Sequence, residues 1–349
     1  GGPPGPGPAV GTGGGERGAR PLAVAENGGR GEPVPVFAHE QERALMARIA
    51  WMYYHQGLTQ QEIGDRLGLS RVKVLRLLAR AREEGIVQIR VDHPSLRYVE
   101  LEEQLRRRFG LQEAVIVPSS ETEEQIREAL GQFGAMFLER ALAPGDSIGT
   151  AWGVTLREVA RHLRPMPVEG VTVVQLMGGL NAGGLINPLD IARVVAEKLH
   201  GQAQMLYTPA FVDTAAIRDA LLSDHRIAQT LRAGASVTKA LVGIGDVSPA
   251  NSLVRWGALT AAEMEEAVRR GAVGDILGRH FDGDGRPIRS SLADRVIALP
   301  LEDLKEIPQV IAFAGGLRKV HAILGALRGG YVDVLVTDEA AAREVLARA

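Results

Sequence analysis

Between Arg71 and Arg82 the chain carries five cations, Arg71, Lys73, Arg76, Arg80 and Arg82, and no carboxylate. Guanidinium and ammonium groups set along one short helix suit the phosphates and base edges of a major groove. Arg71 and Arg76 could each grip a guanine bidentately, a contact that discriminates by roughly 1–3 kcal/mol. A second set of candidates lies in glycine-rich loops: Gly149, Thr150, Trp152, Gly153 and Thr155; Gly178 and Gly179; Tyr207; Asp275; and Lys319 beside Arg318. Backbone amides, hydroxyls and a lysine near helix starts suit an anion or a polyol. Nothing comparable marks an enzyme: there is no nucleophile elbow, no His-Glu-x-x-His helix and no Walker loop. The eight histidines form no close metal-like pair, and no cofactor or metal site is expected.

The elements that must carry the cations are marked by capping signals. Thr59 followed by Glu62 is a capping box and starts a short helix over Gln60–Leu67. Gly68 stands where a tight helix–helix corner needs φ > 0, and Leu69 fills the corner. Ser70 caps a second helix that runs to Glu84. Within it Val74, Leu77, Leu78 and Ala81 recur at helical spacing and face a small core, leaving the cations outside with Leu75 among them. An ordinary helix hairpin with a solvated cationic face would show the same charges. The two caps and the corner glycine fall together at helix-turn-helix spacing, which favours DNA contact by Thr59, Gln60, Ser70, Arg71, Lys73, Arg76 and Arg80.

Length and composition set the frame. The 349 residues suggest two or three domains, and 45% hydrophobic content with only 4% aromatics implies a core of aliphatic side chains. Net charge is −2, so basic character is local. With no cysteine, disulfides, thiolate metal sites and cysteine nucleophiles are excluded. The absence of a long apolar run or a signal-like start predicts a cytoplasmic chain without membrane contact. Residues 1–36 are rich in Gly and Pro and are expected to be a disordered tail. Residues 37–94 form the expected helix-turn-helix domain. It opens with a helix over His39–His55 that carries Leu45, Ile49, Met52 and Tyr53, and closes with a wing-like strand at Ile86–Val91 bearing Arg90. Residues 95–110 read as a linker helix with Leu96, Val99, Leu101 and Leu105, either a dimer contact or docked on its own body.

Over residues 111–349 β-rich runs alternate with helix-length segments. Strands are expected at Ala114–Val117, Ser147–Ile148, Val171–Leu176, Gln204–Tyr207, Ala240–Ile244, Arg295–Ala298, Val310–Ala314 and Asp333–Thr337. Helices are expected at Glu121–Leu142, Val154–Leu163, Pro188–Leu199 and Leu317–Leu327. The pattern predicts an α/β body, a doubly wound and mainly parallel sheet, with ligands beyond the carboxyl ends of its strands. The glycine-rich loops fall there, and Lys319 in the first turn of a helix opposes the macrodipole unless it serves an anionic ligand. Each Gly-Gly taken alone is a tight turn; together with Lys319 they favour a pocket for a small phosphorylated or hydroxylated molecule. Asp282 to Pro287 reads as a hairpin turn.

From about Gln41 onward the sequence resembles the SorC/DeoR-type bacterial sugar-binding transcriptional regulators. The resemblance rests on Leu58–Leu78 with Glu84-Gly85-Ile86-Val87, on Gly149-Thr150-Ala151-Trp152-Gly153 and on Gly274-Asp275-Ile276-Leu277-Gly278. It continues in Ala314-Gly315-Gly316-Leu317-Arg318-Lys319 and Leu335-Val336-Thr337-Asp338-Glu339. It implies a body similar to sugar-phosphate isomerases, glucosamine-phosphate deaminases and CoA transferases, used as a sensor and not a catalyst. A phosphorylated sugar would control a homodimer or homotetramer on a palindromic double-stranded operator. The Trp152–Thr155 and Gly178-Gly179 loops would hold phosphate or hydroxyls, Asp275 a sugar hydroxyl and Lys319 the phosphate. Some members have Gly-Thr-Thr where this chain has Gly153-Val154-Thr155. The competing reading is an isomerase- or deaminase-like enzyme fused to a helix-turn-helix, with Asp275 and Lys319 as acid and base.

Overall fold

The computed structural model describes residues 36–87, 96–180 and 187–349. Contacts divide the chain into two units, Gly1–Val91 and Asp92–Ala349. The tail expected over residues 1–36 lies outside the described residues, apart from Val36 at the start of the first helix.

The first unit is three helices: α1 (Val36–Tyr54), α2 (Gln60–Leu67) and α3 (Arg71–Glu83). Thr59 Oγ1 accepts from the Glu62 amide at 3.3 Å while Glu62 accepts from the Thr59 amide at 2.8 Å, closing the capping box. Gly68 turns the corner at φ 65°, and Ser70 Oγ accepts from the Lys73 amide at 3.2 Å. Gly64 is a second requirement: a Cβ there would lie 2.5 Å from the Leu69 carbonyl oxygen, so the corner closes directly against α2. Met46, Ile49 and Met52 of α1 meet Ile63, Val74, Leu77, Leu78 and Ala81 in one small core. Burying each large aliphatic here contributes about 1.5–3 kcal/mol. The wing strand expected at Ile86–Val91 falls largely outside the described residues, Arg90 included. Of it, Ile86 and Val87 form a bend tied by the Val87 amide to the Ala81 carbonyl at 2.9 Å.

The second unit opens with α4 (Leu96–Phe109), which docks on its own body. Leu101 and Leu105 are buried there, and Glu102 accepts from the Ile116 amide at 2.9 Å. There follow β1 (Glu113–Val117), α5 (Glu123–Ala141), β2 (Ser147–Thr150), α6 (Val154–His162), β3 (Thr172–Gln175), α7 (Pro188–Leu199) and β4 (Gln202–Gln204). Next come α8 (Ala215–Ser223), α9 (His225–Ala235), β5 (Lys239–Gly243), β6 (Gly245–Asp246), α10 (Ser252–Arg255) and α11 (Ala261–Arg269). The chain ends with β7 (Gly274–Ile276), β8 (Arg279–Phe281), α12 (Leu301–Lys305), β9 (Gln309–Phe313), α13 (Val320–Arg328), β10 (Val334–Asp338) and α14 (Glu339–Ala347).

Seven strands form one sheet in the order β1-β10-β9-β5-β2-β3-β4, with every pairing parallel. All five residues of β10 are buried, as a strand covered on both faces requires. A small antiparallel sheet, β6-β7-β8, stands apart from it, unforeseen in the sequence because its strands are only two or three residues long. The turn expected at Asp282–Pro287 follows β8, with the Asp282 amide bonded to the Arg286 carbonyl at 2.9 Å.

Two strand expectations need correcting. Arg295–Ala298 makes only isolated bridges, Phe211 with Val296 and Met177 with Ala298. Ile297 meets Leu206 and Val212 in a satellite core, while Val296 and Ala298 pack into the main core without joining the sheet. The run expected at Gln204–Tyr207 pairs only as Gln202–Gln204. The Gln175 side chain takes the Leu206 amide at 3.1 Å and leads the chain away from β3.

Candidate functional site

On the first unit, Arg71, Lys73 and Arg76 are exposed and have no ion-pair partner among the described residues. Thr59, Gln60 and Ser70 stand at the starts of α2 and α3, where Thr59 and Ser70 serve as caps. Arg80 differs. Its guanidinium bridges Glu42 of α1 at 2.7 Å and Glu84 at 2.8 Å, so it ties the unit together as well as carrying charge.

On the second unit, five of the ten sequence-chosen pocket residues converge. Trp152, Gly153, Thr155, Asp275 and Lys319 line one partly open cavity. It lies past the carboxyl ends of β2, β5 and β9, which supply Trp152–Leu156, Gly243–Asp246 and Gly315–Lys319. Helix α6 begins at Gly153 with φ 135° and no side-chain cap, so its first amides remain available to an anion. The other five lie outside the lining. Gly149 and buried Thr150 belong to β2, and a Cβ at Gly149 would press on Leu176. Gly178 abuts the Pro209 backbone, the Gly179 amide donates to the Thr208 carbonyl at 2.7 Å, and Tyr207 is 80% exposed.

Lys319 sits in a 3-10 turn, Leu317–Lys319, just ahead of α13, not in the first turn of that helix as the sequence suggested. The backbone turns through Gly316 at φ 90°, and this points Lys319 back into the pocket. Its Nζ donates to the Ile244 carbonyl at 2.7 Å. The residue is partly exposed, but its ammonium is surrounded by protein. Burial holds its pKa below the ordinary lysine value, against the opposing pull of Asp246 and Asp275.

Asp275, on β7, is enclosed. One carboxylate oxygen accepts from the Gly278 amide at 3.1 Å, and Oδ1 has no partner among the described residues. Burial pushes its pKa up, offset partly by His280 directly opposite on β8. Burial likewise pushes the His280 pKa down, and its Nε2 is also unpartnered. A Cβ on Gly245 would collide with Asp275 Oδ1, so only glycine lets this carboxylate reach the cavity.

Sequence reasoning missed much of the rim. Glu123 and Arg127 come from the first turns of α5, and Asn251 and Arg255 bracket α10. Arg318 bonds Glu123 at 2.9 Å and approaches Asp246 at 3.6 Å. Asn251 is buried and donates to the Asp246 carbonyl. A signal existed for α10, since Asn251 is its N-cap, but four helical residues give no periodicity to detect. His162 meets Glu128 and Glu158, with ligand-type atoms within 4.8 Å of one another. Those carboxylates are engaged by Arg157 and Arg161, which makes the cluster an ion-pair network between α5 and α6.

A helix-turn-helix unit joined to a parallel α/β unit with a polar cavity at its strand ends defines a ligand-responsive transcriptional regulator. Comparison with known proteins agrees. Residues 93–347 match the Sugar-bind family model, described as "Putative sugar-binding domain", and residues 46–84 match "Sigma-70, region 4". The chain belongs to this family of sugar-binding regulators. It is 34% identical over 303 residues to the uncharacterized transcriptional regulator YjhU of Escherichia coli, covering 85% of this chain and 92% of that protein. It is 32% identical over 309 residues to the erythritol catabolism regulatory protein EryD of Brucella abortus, covering 88% and 98%. The solved full-length sorbitol operon regulator SorC of Klebsiella pneumoniae superposes with a TM-score of 0.68 at 31% identity, covering 88% of this chain and 99% of that one. No described helix is long and apolar enough to cross a membrane.

Proposed function

We propose that the cavity of the second unit takes a phosphorylated sugar and that its occupancy sets the affinity of the first unit for a double-stranded operator. One observation carries this reading: an uncapped helix start, an enclosed ammonium and a carboxylate oxygen without a partner line the same cavity. The phosphate sits against the α6 amides, Thr155 and Lys319, and a hydroxyl donates to Asp275. Gly149, Thr150, Gly178 and Gly179 pack the strand ends beside the cavity, and Tyr207 stands exposed outside its lining. Arg71, Lys73 and Arg76 meet DNA, steadied by Thr59, Gln60 and Ser70 at the helix starts and by Arg80. A homodimer or homotetramer on a palindromic site, working in the cytoplasm without a cofactor, fits the short reading helix, which covers one half-site.

Thermal denaturation of the full chain against a panel of sugar phosphates and the parent sugars tests the first half, because a ligand selective for the folded state raises the melting temperature. An electrophoretic mobility shift with the DNA upstream of its own gene tests the second. Stabilisation by no phosphorylated sugar overturns the pocket assignment. The enzyme reading retains one favourable observation, the opposed displacement of Asp275 and Lys319 toward their neutral forms. Turnover of a pentose or hexosamine phosphate that vanishes in Lys319→Ala would establish it.

A further inference from the structure

The outward face of α3 is not simply cationic. On the side of α3 away from the buried row of Val74, Leu77, Leu78 and Ala81 lie exposed Val72 and partly exposed Ala79, with exposed Leu75 on the flank, spaced three and four residues apart along the helix. Val72 is 58% exposed and Leu75 is 48% exposed, two aliphatic side chains set among the cations of one helix. This ridge is flanked by Arg71 on one side and by Lys73 and Arg76 on the other. Water is a poor solvent for such a ridge, and the flanking cations mark the surface that faces it as anionic. A major groove meets both conditions: its walls are phosphates, and its floor exposes one apolar group, the C5 methyl of thymine.

We infer that Val72 and Leu75 read thymine methyls, so that each half-site contains thymines next to the guanines gripped by Arg71 or Arg76. The inference rests on the proposal that this unit binds DNA and goes beyond it by assigning a base preference to two uncharged residues. Lys73 and Arg76 then contribute affinity and guanine contact, while the ridge distinguishes thymine from cytosine at the adjacent positions.

The test uses the full chain and a random 30-base-pair duplex library, enriched by rounds of binding. Enriched sites should contain fixed thymines beside fixed guanines. Replacing each fixed thymine by deoxyuridine removes only the methyl and should weaken wild-type binding about fourfold per contact, the factor for one buried methyl-sized group. Val72→Ser and Leu75→Ala, both at exposed positions, should bind the thymine and deoxyuridine duplexes with equal affinity at the position each reads. An enriched site whose binding ignores deoxyuridine, or a deoxyuridine penalty unchanged in both variants, overturns the inference while leaving DNA binding intact. Failure to enrich any sequence overturns DNA binding and this inference with it. Circular dichroism of the variants confirms that α3 remains folded.

Discussion

Replacing Asp275 by asparagine exchanges one oxygen for an amino group and should make the protein more stable while weakening its hold on its ligand. In the native fold the carboxyl is enclosed, its Oδ1 lacks a partner, and burial raises its pKa. For a carboxyl raised in the folded state, the associated stability is complete below the ordinary value near 3.9 and is lost as pH rises through the folded value. Above that value the fold carries an enclosed charge that asparagine does not carry. Removing that enclosed charge, with the amide nitrogen left where Oδ1 stood, is worth about 1–3 kcal/mol. For a unit of this size that raises the melting temperature by about 2–10 °C at a pH above the raised folded value. The advantage should shrink as pH falls through the raised folded value, where the wild-type carboxyl takes up its proton. The same exchange replaces an acceptor aimed at the cavity by a donor. A sugar hydroxyl left facing it loses about 1–3 kcal/mol, roughly five- to 150-fold in affinity. Differential scanning calorimetry across pH, with and without the stabilising sugar phosphate, reads both effects. An Asp275→Asn protein that melts below wild type at a pH above that value and binds as tightly would refute the reasoning at both points.

Other outcomes follow from the same geometry. Gly64→Ala places a methyl 2.5 Å from the Leu69 carbonyl oxygen and should unfold or loosen the first unit, seen as loss of DNA binding with ligand-induced stabilisation preserved. Thr59→Ala removes the capping box and should cost that unit about 1 kcal/mol in urea denaturation. Arg76→Ala should weaken binding to the upstream DNA by about 1–3 kcal/mol and relax the preference for guanine at the position it reads, measured by mobility shift on site variants. His280 has its pKa lowered by burial, so its stability is present above about 6.5 and is lost as pH falls toward the folded value. His280→Asn should therefore flatten the fall in melting temperature on the acid side of about pH 6.5.

What the sequence revealed tracks the length scale of each signal. Thr59, Glu62, Gly68 and Ser70 act on neighbours three or four residues away, so the helix-turn-helix could be placed almost residue by residue. The parallel strands were legible because burial on both faces makes them continuous apolar runs, such as Val310–Ala314. That same criterion misassigned Arg295–Ala298, since a buried connecting segment is equally apolar and only its pairing distinguishes it. The pocket was half legible. Trp152–Thr155 and Lys319 lie where a strand meets a helix and carry unusual residues for that place. Glu123, Asn251 and Arg255 reach the cavity only through tertiary packing, and no local pattern foretells that.

The balance of charge around the cavity bears on how a ligand could act as a signal. Arg127, Arg255, Arg318 and Lys319 face Glu123, Asp246 and Asp275, and several of these are already paired with one another. An arriving phosphate cannot simply add to these pairs; it competes with Glu123 and Asp246 for Arg318 and the Lys319 ammonium. Because those groups come from α5, β6 and the turn before α13, exchanging carboxylate partners for a phosphate redistributes forces among three elements. A ligand shifts an equilibrium only by its difference in affinity for the two states, and about 5.5 kcal/mol moves a 1:99 population to 99:1. Two or three charge-assisted hydrogen bonds made in one state alone supply that difference. The loss of coupling should therefore be steepest when Arg318 is replaced by methionine, with DNA affinity preserved and its response to the sugar phosphate abolished.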